Sequence, residues 1–397
     1  MRRRTGTTAP QPRLGFTLIE LLVVIVILAL LIGLLTPAVM KAMATAQDGA
    51  CAAEINSLSQ ALADFKTKHN CYPPSRILIV ENGDYGSGNL GTNTKPALLA
   101  PRSLTYLRKI WPRLQFNTSA TKGDAPGVDS STTGIAAGKF YDVNGNGTLD
   151  APYILEGHQC LVLFLGGIPQ ANGAGYAMTG FSKNPANPFQ TTVLTTNRTV
   201  PYFEFNNSRL VGAGFPGYID YFGASSDPGA APYYVYFSSY EGVGYDPDDV
   251  NGSTESDTAG SVTAPILGAF TAPNAATPNT VSGKIVTSAY PNPYTNDTPI
   301  PTAADGSLGT RATMPAWQNG QTFQIISSGR DRLFGIGGQY LAKGNERVPF
   351  VSTYTGYSAN SLQTMSANNG VTKQSLGPDA RSVEKDNITN FSGGRLD

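Results

Sequence analysis

From Phe16 to Leu35 the chain is apolar except for Thr17 and Glu20. About 20 such residues make a helix long enough to cross a bilayer. The pattern then changes: Cys51, Ile55, Leu58, Leu62 and Phe65 recur every three or four residues, a single apolar stripe. The other faces of that stretch carry Gln47, Asp48, Glu54, Asn56, Gln60, Asp64 and Lys66. Together these patterns predict one long helix over residues 16–70, with a membrane span at 16–35 and an amphipathic arm at 37–68. At the helical rise it would be on the order of 80 Å long. Pro37 is expected to kink or locally melt it, because a proline removes one backbone hydrogen bond. The helix should stop at His69-Asn70-Cys71-Tyr72-Pro73-Pro74, where two prolines forbid continuation.

Residues 71–397 read as a globular domain built mostly from short antiparallel strands. Candidates bounded by Gly, Pro, Asn or Asp are Ile77 to Glu81, Tyr153 to Leu155, Cys160 to Leu165, Tyr202 to Phe205, Tyr218 to Phe222, Tyr233 to Ser238, Lys284 to Thr287 and Thr322 to Ser327. Pro96 to Lys109 suits a short helix. The Gly/Ser/Thr/Pro/Asp-rich stretch at about 242–279 reads as a surface loop insertion, and the tail after Gly344 as loosely packed. The expected class is α+β, a long N-terminal helix whose stripe lies on a loop-rich β domain.

Composition sharpens this. The chain has 44 glycines and 28 prolines, roughly 18% of 397 residues against a usual sum of about 12%. With 19 Tyr and 17 Phe it describes a folded, aromatic-cored domain rich in loops, not a low-complexity tract. Charged residues are 14% and the net charge is zero, so no nucleic-acid partner is expected. The one charge asymmetry is local. Arg2, Arg3, Arg4 and Arg13 precede the apolar run with no acid among them, which holds the N-terminus in the cytoplasm and sends the rest outward.

Glu20 is the anomaly, since a carboxylate inside an apolar span needs a partner or a task. An ordinary secretory signal would be cleaved after the run, where Ala38, Ala42, Ala44 and Ala46 are available. A plain signal anchor with Glu20 near the interface is a further alternative. But a basic leader, Gly15, then Phe16-Thr17-Leu18-Ile19-Glu20 and an unbroken apolar run closely resembles the class III signal of type IV pilins and type II secretion pseudopilins. Pro37 and the Tyr72-Pro73 pair also fall where that family often carries them.

The resemblance implies a leader at 1–15, removed after Gly15 by a prepilin peptidase that methylates the new amino group of Phe16. It implies that Glu20 pairs with the Phe16 amine of a neighbouring subunit. The expected protein is a non-enzymatic pseudopilin-like subunit, single-pass in the inner membrane with a periplasmic C-terminal domain. It would be drawn into a pseudopilus with other pseudopilins by an inner-membrane assembly platform. The alternatives are a type IV pilus or DNA-uptake minor pilin, and a membrane-anchored periplasmic enzyme or ligand-binding protein.

Two stretches invite a metal. In Asp142-Val143-Asn144-Gly145-Asn146-Gly147-Thr148-Leu149-Asp150, oxygen-bearing residues alternate, a Gly stands at position 6 and an acid at 9, as in the first part of an EF-hand-type Ca2+ loop. Position 12 is Tyr153, so the closing acid is missing, and Glu156 would serve only if the chain turned back. The same residues suit an Asn-Gly-rich turn. The second stretch, Ser327-Ser328-Gly329-Arg330-Asp331-Arg332, resembles the C-terminal calcium loop of major pseudopilins, with Asp331 as the matching acid but Arg332 where that family usually has Gly, so an ordinary loop is the alternative. No organic cofactor is expected.

Cys51 belongs to the apolar stripe and reads as a buried thiol. Cys71 and Cys160 are a candidate disulfide in an oxidising compartment. With His69 and His158, each two residues before a cysteine, they also allow a tetrahedral zinc site. No HExxH, GxSxG or phosphate-binding Gly loop is present, and catalysis is not expected. The acids Asp246, Asp248 and Asp249 read as a solvated loop.

Overall fold

The structure is a computed structural model and describes residues 17–91, 95–114, 116, 140–173, 175–191, 195–212, 214–223, 232–240, 242, 244–245, 249–250, 279–281, 284–286, 291–295, 317–332, 334, 337–339 and 383–396. The chain forms two units, Met1–Gly49 and Ala50–Asp397. In the first, the described residues from Leu18 on are helical and their apolar side chains are exposed. They belong to helix α1 (Leu18–His69), which runs through Pro37 without a break. The expected melting at Pro37 does not occur, and the hydroxyl of the preceding Thr36 donates to the Ile32 carbonyl at 2.7 Å. What ends α1 is Asn70, in the left-handed conformation (φ 56°), whose N–H caps the Lys66 carbonyl at 2.7 Å. Pro73 and Pro74 lie beyond a helix already closed.

In the second unit the expected stripe is buried: Cys51, Ile55, Leu58, Leu62 and Phe65 are each at most 1% exposed. The elements that follow are β1 (Ile77–Ile79), α2 (Ser87–Leu90), α3 (Lys95–Ile110), β2 (Tyr153–Leu155), α4 (Gly157–Gly166), β3 (Pro169–Asn172), β4 (Gly175–Met178), β5 (Leu210–Val211), β6 (Gly217–Tyr218), β7 (Val235–Ser238), β8 (Asn279–Val281), β9 (Lys284–Val286), β10 (Asn292–Thr295), β11 (Phe323–Ser327), β12 (Gly337–Gln339) and β13 (Ile388–Thr389). The mix is α+β, and the ladders are antiparallel except for the parallel β10–β12 pair. The central sheet has the order β13-β11-β7. Side chains alternate across it: Tyr236, Phe323 and Ile325 join the core that holds the α1 stripe, while Val235, Phe237 and Ile326 join a second cluster with Tyr245, Trp317 and Leu396. Both faces are covered, so β7 and β11 are buried throughout.

Several expectations fail for identifiable reasons. Cys160 to Leu165 is not a strand but lies in α4, opened by a capping box between Glu156 and Gln159. Its apolar residues are buried on every side, where periodicity does not separate strand from helix. A Cβ at Gly157 would collide with the Tyr236 carbonyl, so glycine there lets α4 meet β7 at close range. Tyr202 to Phe205 forms no ladder. The Tyr202 N–H bonds the Leu165 carbonyl at 2.7 Å and its ring packs edge-on to Phe65 at 5.3 Å. The stretch taken for an insertion at 242–279 begins as core: Tyr245, Asp249 and Val250 are buried, whereas 251–278 lies outside the described residues. Asp249 is not solvated but pairs with Arg102 at 2.8 Å and accepts from the Ser75 hydroxyl. Asp246 and Asp248 lie outside the described residues. Of the tail after Gly344, residues 345–382 lie outside the described residues, while β13 pairs with β11 and Ile388 and Leu396 are fully buried.

Glu54, assigned by periodicity to a polar face, clamps the helix to the domain. Arg209 donates to both its oxygens (2.7 and 2.9 Å), and the hydroxyls of Tyr218 and Tyr234 add bonds of 2.7 and 2.5 Å. Glu54→Ala would strand the Arg209 cation and two tyrosine hydroxyls in a largely desolvated place. It should cost about 3 kcal/mol, read as a lowered denaturant midpoint at unchanged slope. Burial also pushes His158 down to about 4, and Glu156 at 3.9 Å does not offset it. The unfolded chain then takes up a proton before the folded one does. Stability from this group is full above pH 6.5 and declines as pH falls towards 4, by about 3 kcal/mol in all. Unfolding midpoints of wild type and His158→Gln across that range should converge at the acid end.

Candidate functional site

Two places concentrate functional residues. At the head of α1, Gly15 and Phe16 lie outside the described residues, and Thr17 is the first that is described. The Thr17 N–H donates to Glu20 Oε2 at 2.8 Å, its hydroxyl donates to the same oxygen at 2.8 Å, and the Glu20 N–H reaches back to Thr17 Oγ1 at 3.3 Å. This is a reciprocal capping box, so Glu20 satisfies helix-end donors within its own chain. The Thr-x-x-Glu spacing announces it in the sequence. Both bonds accepted by Glu20 fall on Oε2, which leaves Oε1 with its accepting capacity. Beyond it, α1 is the one described helix long and apolar enough to cross a membrane. Its large apolar residues from Leu18 to Met43 stay exposed.

The second place is the loop Asp142 to Asp150. It precedes β2, which pairs antiparallel with β1 in the register Ile77↔Leu155 and Ile79↔Tyr153. That ladder brings Glu81, two residues past β1, behind the loop. Glu81 is fully buried and accepts from the Val143 N–H (3.2 Å) and the Asp150 N–H (2.8 Å). The sequence reading missed it, because only the strand pairing joins residues so far apart. Asp142, 8% exposed, braces the turn with Oδ2, which accepts from Gly147 N–H at 3.1 Å. Gly145 and Gly147 take positive φ (71° and 76°), and at Gly145 a Cβ would press on the Pro169 carbonyl. Asn144 and Asn146 turn their amide groups onto one Asp150 oxygen, at 2.8 and 2.6 Å. The Thr148 N–H and hydroxyl bond Asn146 Oδ1 at 2.7 and 2.8 Å.

Burial, with Asp150 and Asp142 nearby, pushes Glu81 up to about 7. Burial likewise raises Asp142 against the loop N–H groups that oppose it. For Asp150 burial acts in the same sense, but hydrogen bonds from Asn144, Tyr153 and Asn146 outweigh it and the net shift is downward. Glu156, the sequence candidate for a closing acid, is occupied in the cap of α4. Tyr153, at position 12, sits in β2 with its hydroxyl bonded to Asn144 at 3.1 Å.

The other sequence candidates are not assembled into sites. Ser327 and Ser328 give their hydroxyls to buried Asp220 at 2.9 and 2.8 Å, and the N–H groups of Arg330 and Asp331 donate to Asp386 at 2.8 and 2.9 Å. Two protein carboxylates thus order the loop that ends in exposed Asp331. All three cysteines are free and buried, and the Cys71–Cys160 disulfide is not formed. Cys51 has its thiol pushed up to about 11 by burial, as suits a core residue. His69 bonds the Tyr202 hydroxyl at 3.0 Å and His158 stacks on Tyr233. Among the described residues no three His, Cys, Asp or Glu side chains converge as a metal centre, so the zinc arrangement is absent there.

Comparison with known proteins matches residues 11–36 to the prokaryotic N-terminal methylation motif. No curated protein and no solved structure matches the chain. The matched segment contains Gly15, Phe16, the Thr17–Glu20 capping box and the whole apolar run to Leu35. With a long apolar helix behind that motif and a domain of short antiparallel sheets behind the helix, the chain fits a type IV pilin-like protein.

Proposed function

We propose that the protein is a pseudopilin-like subunit of a type II secretion pseudopilus, processed after Gly15, methylated on Phe16, and assembled through its apolar helix. The observation that carries this reading is the pairing of a methylation motif with a helix whose apolar residues from Leu18 to Met43 are exposed. Exposed apolar surface of that extent requires a bilayer or other apolar helices around it. Before assembly the bilayer supplies it, with the domain on the periplasmic side, as the arginine-rich leader directs. After extraction the helices of neighbouring subunits supply it. The free oxygen of Glu20 then accepts the Phe16 amine of the adjacent subunit, which gives the charge a partner within the filament. The role is mechanical, and the partners are the prepilin peptidase, other pseudopilins and the inner-membrane assembly platform. Dependence on the host's secretion genes, rather than its pilus or DNA-uptake genes, separates this machine from its relatives.

Two measurements test the reading. The intact mass of protein taken from its native membrane should correspond to Phe16–Asp397 plus one methyl group. A full-length mass, or one beginning between Ala38 and Ala46, would overturn it. Glu20→Ala should insert in the membrane and be cleaved normally, yet enter filaments at least tenfold less than wild type in sheared-surface fractions. Incorporation at the wild-type level would remove the pairing role.

A further inference from the structure

The Asp142 carboxylate is the most informative polar group that the filament reading leaves unused. It is buried, its Oδ2 accepts from the Gly147 N–H and the Thr191 hydroxyl, and its Oδ1 is buried with no hydrogen-bond partner among the described residues. A buried acceptor left unmade is costly, and natural structures seldom keep one without a partner from protein, water or ion. Around it stand two further carboxylates, Glu81 and Asp150, and none of the three forms an ion pair among the described residues. Two acids of the loop and one from beyond β1 thus lie together with no ion pair among the described residues.

The donor chemistry says which cation fits. The side chains at alternate positions are Asp142, Asn144 and Asn146, with Asp150 at position 9, all hard oxygen donors. The amide groups of Asn144 and Asn146 converge on one Asp150 oxygen, the arrangement a cation replaces when both amides rotate to present oxygen. Gly147 at position 6 supplies the positive φ that the tight turn requires. Position 12 offers no acid, but Glu81 arrives from beyond β1 and pins the loop at both ends through Val143 and Asp150. It closes by tertiary contact what a contiguous loop closes with its own last residue.

We infer that the Asp142–Asp150 loop binds a calcium ion through Asp142 Oδ1, the side-chain oxygens of Asn144, Asn146 and Asp150 and the Thr148 carbonyl, with Glu81 as the positioning residue. Calcium is favoured over magnesium because these ligands form an irregular, flexible oxygen cage, whereas magnesium demands a near-ideal octahedron and keeps its waters. With two ligating carboxylates the site belongs to the weak extracytoplasmic range, a Kd on the order of 10⁻⁴–10⁻³ M. Bound calcium would fix the turn that feeds β2.

The test uses the full-length protein in detergent micelles. Terbium is the probe, excited through Tyr153, whose hydroxyl contacts Asn144 in the loop. Terbium emission should appear, be displaced by millimolar calcium and not by equal magnesium, and the thermal midpoint should be higher in calcium than in chelator. Asp150→Asn should raise at least tenfold the calcium concentration needed to displace terbium and to lift the thermal midpoint. If that variant is misfolded in chelator, Asn146→Ala, at an exposed position, takes its place. A wild-type midpoint and emission indifferent to calcium would overturn the inference. So would a calcium response unchanged in both variants, which would place the ion elsewhere.

Discussion

The structure depends on one helix that carries two incompatible surfaces. From Leu18 to Met43 its apolar side chains are exposed, and from Cys51 to Phe65 a stripe is buried in the domain. The switch between these regimes is chemical. An unbroken apolar run gives way to a one-sided pattern with Glu54 at its edge, and Glu54 is held by Arg209, Tyr218 and Tyr234. Burying a Leu, Ile or Phe side chain contributes about 1.5–3 kcal/mol, so the stripe supplies the affinity of helix for domain. The Glu54 clamp fixes its rotation, because a bidentate arginine pair tolerates little angular error.

Around this helix the domain is assembled from pieces too small to be stable alone. Among the described residues five of the six sheets have two strands, and a two-stranded ribbon is marginal in water. Aromatic side chains packed between helices, loops and strand ends add to their stability. Phe65 meets Phe164 and Tyr202, Phe205 meets Tyr218, and Tyr245 meets Trp317. Such contacts add to the area buried and are directional. This explains how a chain rich in glycine and proline keeps a closed core. The turns are numerous, and the rings between them are large enough to fill the irregular spaces left by short strands.

Buried carboxylates, and the half-buried Asp386, recur as organisers of loops. Asp220 holds Ser327 and Ser328, Asp386 holds the N–H groups after β11, Asp249 joins Ser75, Arg102 and Tyr240, and Glu81 holds the loop before β2. A carboxylate accepting several hydrogen bonds can substitute for regular structure where backbone N–H groups would go unpaired. The Asp142 loop differs in that one carboxylate oxygen, Asp142 Oδ1, is buried without a hydrogen-bond partner among the described residues.

The sequence by itself determined what depends on local order. The methylation motif, the span, the stripe, the strands at Tyr153, Tyr233 and Thr322, and the alternating oxygens of Asp142 to Asp150 all follow from spacing along the chain. Even the Glu20 capping box was written there, as Thr-x-x-Glu. Tertiary structure alone decided what depends on partners distant in sequence. A fully buried apolar run such as Cys160 to Leu165 has no polar face to betray its period, so the Glu156 cap and the packing against β7 made it a helix. Glu54 looked solvent-facing until Arg209 was brought to it. Asp249 and the C-terminal strand looked peripheral until Arg102 and β11 drew them inside. Glu81 became part of the loop only through the β1–β2 ladder, because strand pairing sets proximity without regard to separation along the chain.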